Sequence, residues 1–74
     1  GINYASLTED MARGGGEHLA SLATLMHVPL EHQPAFFAMA QERYASLVMS
    51  GEDDPFAVQE ALREAITVHP SSRR

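Results

Sequence analysis

The chain contains no cysteine, so it has no disulfide staple and no thiolate ligand for a metal. It contains no lysine either. Its five positive residues are all arginine, and the formal net charge is -5. Nucleic acids and anionic membranes both require clustered positive charge, so no nucleic acid partner is expected. No apolar run approaches the roughly 20 residues of a membrane span, so no membrane insertion is expected. No stretch reads as a signal peptide. Strand signals are missing too: there is no alternating β-branched run and no Asn-Gly hairpin.

What remains is a chain of 74 residues that is 45% hydrophobic and 20% charged, the balance of a folded globular domain. One domain over residues 1–74 is the expectation. Domains of this size bury a small share of their surface and are marginal alone. Association with itself, or with a neighbour, is therefore expected. The apolar content is rich in alanine and leucine, which favours helix.

The stretch that organises the chain is Met11-Ala12-Arg13-Gly14-Gly15-Gly16-Glu17-His18-Leu19. Three glycines separate two segments of helical periodicity. Gly14 reads as a helix stop in the left-handed region, with Arg13 at the negative end of the helix dipole. Gly15 and Gly16 reverse the chain, and Glu17 opens the next helix at its positive end. A second reading is that the glycine run presents amides to an anion or small ligand. It lacks the preceding strand and the Gly-Lys-Ser/Thr of a phosphate loop, and Glu17 would repel the anion.

Four helices follow from the spacing. The first starts at an Asn3 cap and places Tyr4, Leu7 and Met11 on one face, with Glu9 and Arg13 paired outside. The second turns Leu19, Leu22, Ala23 and Met26 inward, with Leu25 and His18 widening the arc. Val28-Pro29 ends it, leaving His27 just past the helix in a left-handed conformation. Leu30-Glu31-His32-Gln33 is a connector of about one turn. Pro34 opens the third and longest helix, which puts Phe36, Phe37, Ala40, Tyr44, Leu47 and Val48 on one arc and stops at Gly51. Glu52-Asp53-Asp54-Pro55 caps the fourth; the acids lack the ligand spacing of a calcium loop. That helix turns Val58, Ala61, Leu62, Ala65 and Ile66 inward and ends at His69-Pro70. Residues 71–74 form a frayed tail.

Candidate chemistry is sparse. His18, His27, His32 and His69 are the only obvious metal or catalytic material. No pair is spaced i,i+4, and no His-Glu-x-x-His occurs. The serines lack a nucleophile-elbow context. No enzyme activity, cofactor or metal site is expected, although a histidine metal-handling domain remains an alternative. Three apolar side chains fall outside the inward arcs: Phe56, Met39 and Met49. Phe56 either folds back over the loop around Gly51, or joins Met39 or Met49 in a patch covered by a second chain. A two-fold dimer is the commonest such arrangement.

The run from Met11 to Met26 resembles a bacterial family of uncharacterised proteins, domain of unknown function 3015. The pattern is Met-x-Arg/Gln-Gly-x-Gly-Glu-x-Leu, then Leu-Ala-x-Leu, with Gly14, Gly16 and Glu17 on its distinctive positions. The aromatic pair Phe36-Phe37, the later Tyr44 and a closing helix before Pro70 follow in order. The resemblance covers about residues 3 to 70. His27 stands where the family usually has glycine. The resemblance implies an exported protein of the periplasm or cell envelope, of which this chain is the C-terminal helical part. It brings no established activity, ligand or catalytic residue. The expectation is thus an all-α bundle of four short helices. It serves as a non-enzymatic interaction or structural module whose partner is itself or another envelope protein.

Overall fold

The computed structural model describes residues 3–67. Among them are four α-helices and no strand: α1 (Tyr4–Arg13), α2 (Glu17–Leu25), α3 (Gln33–Ser50) and α4 (Pro55–Thr67). A single 3-10 turn, Leu30–His32, joins α2 to α3. The expected end of the last helix at His69-Pro70 and the tail at 71–74 lie outside the described residues.

Local chemistry sets the boundaries. The Asn3 side chain accepts the Ser6 N–H at 3.1 Å and starts α1. Gly14 ends it at φ 87°, where its own N–H and that of Gly15 reach back to the carbonyls of the last turn. α2 ends in the same way around a residue that is not glycine. His27 takes φ 64°, and the Val28 N–H bonds the Ala23 carbonyl at 2.9 Å. Gly51 closes α3 at φ 74°. Asp54 accepts the Ala57 N–H at 2.9 Å, and Pro55 is the first residue of α4.

α3 is the central element and packs against α1, α2 and α4. Leu7 and Met11 of α1, Leu19 and Ala23 of α2, Phe36 and Ala40 of α3, and Val58, Leu62 and Ala65 of α4 meet in one core, with Val28 closing it. Phe36 is fully buried, its ring tilted 56° to that of Phe37 at 6.0 Å between centroids.

Several positions depart from the periodicity. Tyr4 is 43% exposed. It sits beside Tyr44, Asp53 and Asp54, and loss of solvation together with these neighbours raises the pKa of its hydroxyl. Leu25 and Met26 are exposed because α2 stops at Leu25 and Met26 already follows turn geometry, φ -94° and ψ 12°. Val48, on the last turn of α3, is exposed as well. Arg13 does not pair with Glu9; its guanidinium turns to the carboxylate of Asp10, three residues back. Gln33 belongs to α3, not to the connector, and is buried. Its amide donates to the Val28 carbonyl at 3.1 Å, which ties the α2–α3 turn to the helix it feeds.

Candidate functional site

The glycine turn is built around a residue that spacing alone did not single out. Asp10 lies on the inward arc of α1 between Leu7 and Met11 and is buried. The N-terminus of α2 begins at Gly16, which has no side chain to cap it. Asp10 supplies that cap from the previous helix. Its Oδ2 accepts the N–H of His18 at 2.8 Å and of Leu19 at 3.1 Å, while Oδ1 accepts from Arg13. The His18 Nδ1 stands 3.7 Å from Oδ2. Burial alone would raise the carboxyl pKa. The two amide hydrogen bonds, with the positive Arg13 and the nearby His18, outweigh that and hold it below its ordinary value.

This arrangement explains two of the glycines. Gly14 needs its positive φ. Gly16 needs the absence of a side chain, because a Cβ there would overlap the Asp10 carboxylate. Four of the donors that an anion would use at the turn are already engaged. Gly14 and Gly15 bond the carbonyls of α1, and His18 and Leu19 bond Asp10. At this turn the α2 amides of His18 and Leu19 are capped by the protein's own Asp10 carboxylate. Glu17, in the first turn of α2, points to solvent. On the far side, the Gln41 amide of α3 donates to the Ala12 carbonyl at 3.1 Å and locks the end of α1.

Of the described histidines, His18 lies near one carboxylate, that of Asp10. Among the described residues, no three His, Cys, Asp or Glu side chains are placed to hold a metal ion. His27 is exposed, His18 and His32 are half-buried, and His69 lies outside the described residues.

The residues set aside as a possible interface separate. Phe56 is 71% exposed and Met49 is 88% exposed, whereas Met39, expected outside the inward arc, is half-buried against the core; only Phe56 shares a surface feature with it. Those two line an open groove of about 590 Å³ between α3 and α4, with Leu47, Ala57 and Ala61 as its other apolar members. Phe56 does not stand against Gly51, where a Cβ would meet nothing within 4 Å. Met49 is not part of the groove. The charged lining is Glu42 and Arg43 from α3 and Glu60 and Glu64 from α4. Arg43 bridges to Glu64 at 2.9 Å across the groove. Its Nε is buried without a hydrogen-bond partner among the described residues.

Asp10, Gln33, Gln41 and Arg43 were not identified from spacing. Only Asp10 left a trace in the sequence. It sits at i+3 from Leu7 on an apolar stripe, ahead of a helix start that has no polar cap of its own.

The family model described as "Protein of unknown function (DUF3015)" matches residues 1–73, and the chain belongs to that family. No curated protein and no solved structure matches it.

Proposed function

We propose that this member of the family is a non-enzymatic protein-interaction module of the bacterial envelope, and that the α3–α4 groove is its contact surface. The observation that carries the reading is Phe56. A phenylalanine side chain is worth roughly 1.5–3 kcal/mol when fully buried. A small marginal domain forgoes that here, leaving the ring 71% exposed on the rim of the α3–α4 groove. The envelope compartment rests on the family resemblance. A second copy of the chain and another envelope protein are the two occupants this reading admits.

A photo-crosslinking amino acid at position 56, compared with one at the exposed Glu9 on α1, tests it in cells producing the protein. The expected result is a discrete protein adduct from position 56 that is absent from position 9. Equal labelling at both positions, or none at either, removes the groove as a contact surface.

A further inference from the structure

The groove mixes apolar and acidic residues along its length. α3 and α4 are joined by four residues, 51–54, and run antiparallel. Phe56, in the first turn of α4, therefore lies toward the end of the groove where Leu47 of α3 stands. Met39 lies toward the opposite end, two turns earlier on α3. The span from Met39 to Leu47 is about 12 Å at ~1.5 Å per residue. Its charged lining is three carboxylates, Glu42, Glu60 and Glu64, and one guanidinium, Arg43, which pairs with Glu64, while Glu60 also pairs with Arg63 beside the groove, so the lining is net negative. The floor includes Ala57 and Ala61, whose small side chains let another backbone approach closely.

Resting on the reading of this groove as the contact surface, we propose that its occupant is a cationic amphipathic helix of another protein. Such a helix places apolar residues at i and i+7, about 10 Å apart, on the Phe56 and Met39 ends. Arginine or lysine at i+3 and i+4 then falls over the carboxylates. A second copy is a poorer match. A two-fold axis through the groove would set its net negative lining, with Glu42 outside those ion pairs, against itself, on a chain whose net charge is already -5. The lining charge selects the partner's sign, and Ala57 and Ala61 leave room for its backbone.

The chain has no tryptophan, so one tryptophan in a synthetic peptide reports binding by fluorescence. Three helix-forming peptides with the same apolar face are titrated against the full chain, with lysine, glutamine or glutamate at the intervening positions. The lysine peptide is expected to bind at least about tenfold more tightly than the glutamine peptide, and the glutamate peptide weakest. Phe56→Ser weakens the lysine and glutamine peptides alike. Glu42→Gln and Glu60→Gln each weaken only the lysine peptide, by about two- to fivefold, and Glu9→Gln leaves it unchanged. Circular dichroism establishes that each variant folds. Equal binding of lysine and glutamine peptides, still dependent on Phe56, overturns the cationic partner and leaves the contact surface standing. An effect of Glu9→Gln as large as that of Glu42→Gln reduces the preference to net charge and overturns it too. No peptide binding, with dimerisation that Phe56→Ser abolishes, makes a second copy the occupant and overturns it. No peptide binding and no dimer removes both readings.

Discussion

The carboxylate of Asp10 occupies the space in which a Gly16 side chain would begin. One residue supplies the cap and the other makes room for it, and neither works without the other. α1 and α2 are thereby joined at a fixed angle through a buried charge whose acceptor sites are met by amides and a guanidinium.

The first prediction compares the two glycines. Gly14→Ala forces a non-glycine residue to φ 87°, but its Cβ meets only the end of the flexible Gln41 side chain. The expected cost is about 1 kcal/mol. Gly16→Ala adds a collision with a side chain that cannot move, an overpacking cost of roughly 1–3 kcal/mol. In urea denaturation, Gly16→Ala should be the less stable variant. The reverse order would mean that Asp10 is not held against Gly16.

Acid should act through Asp10. Its folded carboxyl titrates below the ordinary value of 3.8, so the unfolded chain takes up the proton first. The stability this gives is present above that ordinary value and is lost as pH falls through the lower folded value. Asp10→Asn keeps the shape and removes the charge. The difference in unfolding midpoint between wild type and Asp10→Asn should therefore shrink between about pH 7 and about pH 2. A difference independent of pH would contradict the charged cap.

The helix boundaries were legible because they are set locally. Asn3, Gly14, Gly51 and Asp54 act on backbone groups within a few residues, and Pro29 forces the stop that leaves His27 left-handed. Asp10 was not legible in that way, since its amides lie eight and nine residues on, across a turn. Gln41 reaches α1 from 29 residues away, which no periodicity reports. Leu25, Met26 and Val48 were assigned to the core because helical spacing does not register that a helix is ending. Spacing did set Phe56 apart from the core, but its association with Met39 rather than Met49 needed the pairing of α3 with α4.

Gln33 gives a prediction about the second turn. Its amide satisfies the carbonyl of the buried Val28 in an otherwise largely exposed connector. Gln33→Ala leaves that carbonyl short of its donor, at an expected cost of about 1–3 kcal/mol. The loss should appear as a lower urea midpoint. No change would mean that water replaces the amide without penalty.

Zinc or nickel added to the chain should give no stoichiometric heat in calorimetry. The three described histidines form no metal-holding group with other ligands. One tight site per chain, lost in His27→Ala or His32→Ala, would require the histidines to be read as ligands.

The central claim is that Phe56 serves a partner and not the fold. Urea denaturation of Phe56→Ser addresses it directly, with Phe36→Ala as the reference for a phenylalanine that the fold does use. Phe36 is fully buried, and its truncation should cost about 3–5 kcal/mol. Phe56→Ser should leave the unfolding free energy within about 0.5 kcal/mol of wild type, as surface substitutions do. A loss of roughly 1.5–3 kcal/mol, the worth of a buried phenylalanine, would place Phe56 in the core and contradict the account.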